Sequence, residues 1–327
     1  MTWKRRGEIG VAAAALVLVL AVIPLWASGY WVRVATNVLM YVALTAAQNI
    51  IAGYAGYPAL GNVVFFGLGA YAAAVAMTSA SLPIPVALLL GGMVPVLYAL
   101  ALGVPILRTR GHYFVMATIG VNEATREIIT NLDAWTEGSR GITLPILDLP
   151  PRANYALFYF LMFAVAAATV VTTAVVARTR LGYGWRAIRA NEEAAVVMGV
   201  NATRYKVLAW ALSALFTGLA GAVFALWTTF IEPAGVFSVL IVVKFTVMLL
   251  LGGQGTVAGP VVGAVVIELL STLVWGQFPQ LHLGIFGILV VLIVLFVPSG
   301  IMDLFTRRYS FAALGRRVAT AGGARSW

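Results

Sequence analysis

Five charged residues lie within otherwise apolar stretches, and their side chains have the clearest capacity for chemistry. Glu123, Arg126 and Glu127 are spaced to share one face of a helix, where they can neutralise one another. Lys244 and Glu268 lie in two later apolar stretches and can pair across a helical bundle. A charge at the centre of a bilayer costs at least about 2.5–3.5 kcal/mol. Such residues therefore serve a solute or proton pathway or a structural ion-pair network, and both interpretations stay open.

Several kinds of catalytic and binding site are absent from the sequence. The chain has no cysteine, which excludes disulfides, thiolate metal ligands and cysteine nucleophiles. No lysine follows a glycine, which excludes a phosphate-binding loop of the GxxxxGKS/T type. His112 and His282 lack the HExxH spacing, and no serine lies in a GxSxG turn. We expect no catalytic residue, no metal and no cofactor, so the energy for any work comes from gradients or from another subunit.

The composition indicates the solvent in which these residues lie. Of the 327 residues, 62% are hydrophobic and 10% are charged, and the mean hydropathy is +0.98. A soluble domain carries about 25% charged residues. The net charge of +10 comes from short basic clusters between apolar runs, as in membrane loops rather than a nucleic-acid-binding surface. The sequence therefore predicts an all-α polytopic membrane protein in which residues 1–327 form a single transmembrane domain.

The apolar segments predict about ten transmembrane helices, some of them broken or re-entrant. They lie near residues 9–27, 34–52, 57–79, 84–107, 112–130, 154–177, 205–229, 236–251, 258–275 and 283–300. The first is too long for a cleavable signal sequence. With ten spans, the positive-inside rule places most of the 21 basic residues and the tail at 307–327 in the cytoplasm. Both termini are then cytoplasmic, and the loop at 131–154 is an outer connection that covers the outer mouth, receives a partner or is simply exposed.

Two of these segments are rich in glycine at membrane depth. The glycines concerned are Gly53, Gly56 and Gly61 in the first segment and Gly253, Gly255 and Gly259 in the second. Paired glycine-interrupted segments are typical of a transport pathway near the midplane, where unwound backbone lines a cavity. Close helix packing through small residues is the alternative interpretation.

The longest polar stretch between apolar segments lies at 178–204, and its residue types suit the membrane surface. Leu181, Trp185 and Ile188 are spaced as an apolar stripe on one face of a helix. The stretch is therefore expected to be helical and to lie at the cytoplasmic surface.

Helix-end signals define a second short helix in this stretch. Asn191 is a suitable N-cap, two glutamates follow it in the first turn, and Gly199 suits the position just after a helix end. These signals predict a two-turn helix at 192–198. Asn201 or Thr203 then caps the next span.

Here the sequence resembles a known family. EAAVVMG is similar to the Glu-Ala-Ala, three residues, Gly loop of bacterial ABC importer permeases, whose short helix docks in a groove of the ATPase subunit. Further segments resemble branched-chain amino-acid permeases, most of all the longer of the two sister permeases: GYAGYPALGNVVFFGLGAYAAA, RTRGHYFVMATIGVNEATREII followed by GSRGI, RLGYGWRAIRANEEAAVVMGVNATRYKVLAWALSALFTGLAGAVFA, and LLGGQGTVAGPVVGA. The ordered set covers about residues 35–300 and is more specific than any one motif.

The resemblance implies a permease subunit of an ATP-driven importer for branched-chain or hydrophobic amino acids, working by alternating access in the bacterial inner membrane. The implied partners are a sister permease, two ATPase subunits and a periplasmic solute-binding protein. The implied coupling helix contains Glu193, Ala194, Ala195 and Gly199, with Arg186 and Arg189 flanking it. ATP hydrolysis is then expected in the partner subunits and not in this chain.

The chain departs from the family pattern in two places. Ala209 to Leu212 stand where the wider ABC loop pattern has Ile-x-Leu-Pro, and Tyr57, Pro58 and Asn62 replace the residues expected in the early glycine segment. These changes leave the solute open, so importers of urea, amides or aromatic acids are alternatives. A self-contained ion-coupled secondary transporter and a purely structural membrane partner are the alternatives from other classes.

Overall fold

The computed structural model of the protein describes residues 28–146 and 148–277, together with the single residues Gly284, Gly287 and Ile301. Within these ranges the chain is mainly helical. The helices are α1 (Gly29–Gln48), α2 (Val63–Thr78), α3 (Ile84–Ile106), α4 (His112–Thr130), α5 (Asp133–Thr136), α6 (Pro151–Val176), α7 (Arg180–Ala190), α8 (Glu192–Val197), α9 (Ala202–Thr228), α10 (Pro233–Val236), α11 (Val239–Gly252) and α12 (Ala258–Gln277). A π-helical turn, Asn49–Tyr54, continues α1, and strands β1 (Ile142–Thr143) and β2 (Phe230–Ile231) form one antiparallel pair.

Five helical segments in the described ranges are long and apolar enough to cross a membrane. They are Gly29–Tyr54, Ile84–Ile106, Pro151–Val176, Ala202–Thr228 and Pro233–Gly252, while Val63–Thr78 and Ala258–Leu273 are shorter apolar helices. The chain is therefore a helical membrane protein. Apart from Gly284 and Gly287, the predicted spans at 9–27 and 283–300 and the tail at 307–327 lie outside the described residues. The count of ten spans stays a prediction.

The helix α9 lies at the centre of the described bundle and packs mainly against α2 and α3. Small residues allow this close approach. A Cβ added to Gly218 of α9 would lie 2.5 Å from the carbonyl oxygen of Gly91 in α3, and one added to Gly69 of α2 would lie 2.6 Å from the Cα of Gly218. Since lipid is as apolar as the side chains, this backbone-to-backbone packing, rather than apolar burial, holds the three helices together.

The segment predicted as a span from residue 57 becomes helical only at Val63. Before it, residues 55–62 form an irregular connection that turns at Gly56, where φ is +79°. Polar side chains satisfy this buried backbone: the Gln48 side-chain amide donates to the Ala59 carbonyl at 3.1 Å, and Gly61 N–H donates to the Thr118 hydroxyl at 3.2 Å. Buried irregular backbone is tolerated where protein groups bond to it in this way.

The loop predicted at 131–154 folds back on the connection after α9. Its strand β1 pairs with β2 in the register Ile142 opposite Ile231, and Leu144 N–H donates to the Thr229 carbonyl at 2.8 Å. Beyond this pairing, Ile146 is 76% exposed. The first part of the loop is therefore tied to the connection that follows α9.

Candidate functional site

The surface stretch 178–204 is held against the bundle by an aromatic anchor. Trp185 and Ile188 of α7 are buried, as the predicted apolar stripe requires. The Trp185 indole N–H donates to the Tyr205 carbonyl at 2.8 Å, and Gly184 lets the Tyr205 ring lie directly on the α7 backbone. The helix α7 is therefore fixed to the first turn of α9.

The predicted two-turn helix is present as α8. The Asn191 side chain accepts a hydrogen bond from Ala194 N–H at 3.1 Å, which caps the helix start, and Gly199 ends the helix with φ at +88°. The Asn201 side chain accepts from Arg204 N–H at 3.1 Å and begins α9. These end signals are local, which is why the sequence alone predicted them.

The free end of α8 presents apolar side chains to its surroundings. Val197 is 85% exposed and Met198 is 84% exposed, and Val196 and the Glu193 side chain are also exposed. Only Ala195 of the helix is buried, on the side facing the bundle. A Cβ placed at Gly199 would meet no atom within 4 Å. The tip of α8 is thus an apolar projection beyond the described bundle.

The base of α8 is anchored through Glu192 to a buried lysine. Lys206 Nζ lies 2.9 Å from one Glu192 oxygen, and it also donates to the Tyr57 hydroxyl at 3.1 Å and to the Leu107 carbonyl at 2.8 Å. The Tyr57 hydroxyl in turn donates to the second Glu192 oxygen. Arg110 adds a longer ion pair to Glu192 at 3.4 Å. Tyr57, Arg110 and Lys206, from three different segments, therefore meet at the Glu192 carboxylate.

The electrostatics of this cluster keep Glu192 ionised. Burial by itself raises the pKa of Glu192, but the hydrogen bonds from Tyr57 and Lys206, with the charges of Lys206 and Arg110, outweigh it and lower the pKa below its ordinary value. A carboxylate held in this way anchors the start of α8 at neutral pH.

The sequence did not single out Lys206, Tyr57 or Arg110 for this role. They stand 14, 135 and 82 residues from Glu192. One signal was present, since lysine occurs only at positions 4, 206 and 244 and Lys206 opens an apolar span. No spacing rule connects such a lysine to a glutamate across a connection and the end of another helix.

The two arginines predicted to flank the short helix have different surroundings. Arg186 stays within its own loop, donating to the Ala177 carbonyl at 2.7 Å and the Gly182 carbonyl at 3.2 Å. Arg189 instead leaves the loop, and its guanidinium donates to the Gly53 carbonyl in the first glycine-rich segment.

The first glycine-rich segment is a true break. Gly53 lies in the π-helical turn that ends α1, and Gly56 turns the chain with a positive φ. Gly61 allows the chain to rest on the backbone of Thr118, because a Cβ there would fall on that carbonyl group.

The second glycine-rich segment divides into a break and a packing surface. Gly253 and Gly255 have φ of +113° and +77°, so the chain is unwound between α11 and α12. Gly259 lies inside α12, where a Cβ would be 2.9 Å from the Gly252 carbonyl oxygen. Gly259 therefore serves the close contact of α11 with α12, which was the alternative interpretation for this position.

The charges within the apolar segments form two ion-paired groups. On α4, Arg126 lies 3.0 Å from Glu123 and 3.2 Å from Glu127, on a partly exposed face. Between α11 and α12, Lys244 Nζ lies 2.7 Å from Glu268, whose side chain is 3% exposed. The side-chain amide of Asn37 donates to the other Glu268 oxygen at 2.6 Å and adds α1 to this pair. Every one of the predicted charges thus has a partner of opposite sign.

Comparison with known proteins agrees with the resemblance in the sequence. The family model described as the branched-chain amino acid transport system permease component matches residues 30–294. The high-affinity branched-chain amino acid transport system permease proteins LivM of Salmonella typhimurium and Escherichia coli are 27% and 28% identical, covering 89% and 88% of this chain and 74% and 73% of their own lengths. The ribose import permease protein RbsC of Bacillus subtilis is 31% identical over 40% of this chain and 47% of its own length. No solved structure matches significantly.

Proposed function

Since the chain belongs to the branched-chain amino acid transport permease family, we propose that it is the membrane-spanning subunit of an ATP-driven importer. It carries branched-chain or other hydrophobic amino acids across the bacterial inner membrane by alternating access. Its partners are a sister permease, two ATPase subunits and a periplasmic solute-binding protein, and its termini lie in the cytoplasm. The solute class rests on what the two similar permeases are named for.

One observation supports the ATP-driven mechanism most directly, namely the contrast between the two ends of α8. Its tip, with Val197 and Met198, is exposed and apolar, whereas its base is fixed by Glu192 to buried Lys206. An exposed apolar helix end is the shape that enters a groove of a partner, and a rigid base transmits force rather than absorbing it. The helix α8 is therefore the coupling helix in this proposal, with Ala194 and Ala195 giving it a slim profile.

The pairing of the intramembrane charges favours this mechanism over a self-contained ion relay. A relay needs a group that changes its protonation or partner during transport. Glu268 already holds Lys244 and Asn37, and Arg126 already neutralises Glu123 and Glu127. These charges form structural ion pairs, within α4 and between α11 and α12.

The test is uptake into vesicles that contain this chain together with its proposed partners. With ATP supplied and the proton gradient collapsed by an ionophore, we expect uptake to persist and to require the ATPase subunits. Loss of uptake on ionophore addition alone would support the ion-coupled alternative. The solute itself is identified by measuring which amino acid, amide or aromatic acid the binding protein holds.

A pair of variants at Gly199 tests the role of α8 in this system. Gly199→Ala and Gly199→Trp share the same backbone strain, because both place a Cβ at φ +88°. They differ in bulk, and around Gly199 there is open space in the chain itself. We expect Gly199→Trp to insert normally but to transport at least about tenfold more slowly than Gly199→Ala, since the indole blocks the partner's groove. Equal transport by the two variants would contradict the coupling role.

A further inference from the structure

Arg189 lies in the last turn of α7, two residues before the Asn191 cap, and it contacts both glycine-rich breaks. Its guanidinium Nη1 donates to the carbonyl of Gly53. Its side-chain stem packs on Gly56, where a Cβ would lie 2.9 Å from Arg189 Cγ, and a Cβ on Gly255 would lie 2.7 Å from the same Nη1. A Cβ at Gly56 would meet the base of the arginine side chain, whereas one at Gly255 would push its guanidinium aside; both glycines also have a positive φ that other residues rarely adopt.

The two breaks are also bonded to each other beneath Arg189. The side-chain amide of Asn49 donates to the Thr256 carbonyl at 2.7 Å, and its oxygen accepts from Gly255 N–H at 2.9 Å. The Asn49 side chain thereby bonds to one N–H and one carbonyl of the second break, as a neighbouring backbone segment would. A Cβ on Gly53 would lie 2.8 Å from Gly255 N, so the two segments are in backbone contact.

The chemistry of arginine suits it to hold this junction. A guanidinium has five N–H donors in a rigid plane, and a charge-assisted hydrogen bond to a carbonyl is about twice as strong as a neutral one. A lysine carries the same charge but lacks the fixed planar fork. Arg189 therefore ties the Gly53 carbonyl to the end of α7 by a hydrogen bond, and the same rigid planar group lies against Gly255 of the second break.

We propose that Arg189 is the positioning residue that carries movement of the coupling helix α8 to the two glycine-rich breaks. This rests on the proposed function, in which the partner ATPases move α8. Asn191, in extended conformation, is the one residue between α7 and α8, which also contact each other, so a displacement of α8 tilts the end of α7 that bears Arg189. The carbonyl of Gly53 and the backbone of Gly255 then move together, and the unwound segments open or close as one unit.

The linkage is tested on the purified permease without any partner. The natural chain has no cysteine, so spin labels on Val197→Cys in α8 and Gln254→Cys in the second break report one distance. We expect a narrow distance distribution in the otherwise native chain and a broad one when Arg189→Gln is added. Arg189→Lys should give an intermediate width, because the charge remains and the planar fork is lost. Arg108→Gln, which removes an exposed arginine outside the loop, should leave the distribution narrow.

The functional consequence is tested in the complete importer. We expect Arg189→Gln to co-purify with the ATPase subunits as the native chain does, but to lower solute uptake per ATP hydrolysed by about tenfold or more. A merely structural role would lower the yield of folded complex and leave that ratio unchanged.

The possible failures are distinguishable. If the unsubstituted chain shows no ATP-dependent uptake with its partners, the proposed function fails, while the spin-label result stands by itself. If the unsubstituted chain transports and Arg189→Gln retains both the narrow distribution and the uptake ratio, the role of Arg189 is wrong.

Discussion

At the scale of single residues, Lys206 shows how a charge is accommodated at the edge of an apolar bundle. Its side chain is 3% exposed, and its ammonium has three acceptors: the Glu192 carboxylate, the Tyr57 hydroxyl and the Leu107 carbonyl. Three acceptors match the three protons of an ammonium, so no donor is left without a partner. A buried charge is tolerated only when it is paired and hydrogen-bonded in this way.

Removing this lysine should be costly. Lys206→Met leaves the partly buried Glu192 with the Tyr57 hydrogen bond and the longer Arg110 ion pair but without its close cation, and we expect the free energy of unfolding in detergent to fall by about 3–5 kcal/mol. Thermal or denaturant unfolding of the purified chain, followed by circular dichroism, measures this.

Arg110→Gln is the matched control. The Arg110 side chain is 55% exposed, and its pairs to Glu192 and Glu193 are 3.4 and 3.3 Å long, so its loss should cost no more than about 1 kcal/mol. Equal destabilisation by the two variants would show that burial does not decide how much each ion pair with Glu192 contributes to stability.

At the scale of helices, glycine plays two distinct physical roles in this chain. In the breaks it permits positive φ, as at Gly253 and Gly255. Inside helices it permits close contact, as at Gly263 of α12, where a Cβ would lie 2.9 Å from Gly252 N and still closer to the Met248 carbonyl oxygen of α11. The two roles cannot be told apart from the glycine content of a segment. Substituting a glycine inside a helix tests the close-contact role by itself.

We predict that Gly263→Leu separates α11 from α12. The added side chain meets backbone, which cannot move aside, so the cost should reach or exceed the ~1–3 kcal/mol typical of overpacking. The stability of the purified chain in detergent measures it. Gly120→Leu in α4 is the control, because a Cβ at Gly120 meets nothing within 4 Å and leucine favours the helix. Loss of stability in Gly120→Leu, with none in Gly263→Leu, would reverse our assignment of the packing surface.

At the scale of the whole molecule, the surface stretch 178–204 lies against the first glycine-rich break and, through Arg189, against the second. Arg189 contacts Gly53, and Glu192 contacts Tyr57, so both belong to one junction. The β1–β2 pair belongs to other connections, between α5 and α6 and after α9. The β1–β2 pair is therefore separate from the junction that Arg189 and Glu192 form.

The orientation of the molecule in the membrane yields a prediction that uses the absence of cysteine. Val197→Cys in α8 should react with an impermeant maleimide only from the cytoplasmic side, and Ile146→Cys in the loop at 131–154 only from the opposite side. The positive-inside rule gives this direction. Labelling of right-side-out and inverted vesicles measures it, and labelling of both cysteines from one side would refute the ten-span arrangement.

The sequence by itself determined the features that depend on neighbouring residues. Hydropathy identified a helical membrane protein, and end signals at Asn191 and Gly199 defined α8 to within a residue. Of the two caps that the sequence offered for α9, Asn201 and Thr203, the structure uses Asn201. The spacing of Glu123, Arg126 and Glu127 on one helical turn likewise determined their ion pairs. Such features form through hydrogen bonds and charges a few residues apart, so local order is enough to fix them.

Only the tertiary structure decided which distant groups share a site. It separated Gly259, which serves helix packing, from Gly255, which serves a break, and it brought Arg189 to Gly53 across 136 residues. It also brought the Lys206 ammonium within hydrogen-bond distance of Glu192 and Tyr57. Contacts of this kind depend on how several helices pack at once, and the same short sequence can meet backbone, a side chain or open space. The physical reason is that packing is a property of the assembled bundle, whereas a helix end is a property of a few residues.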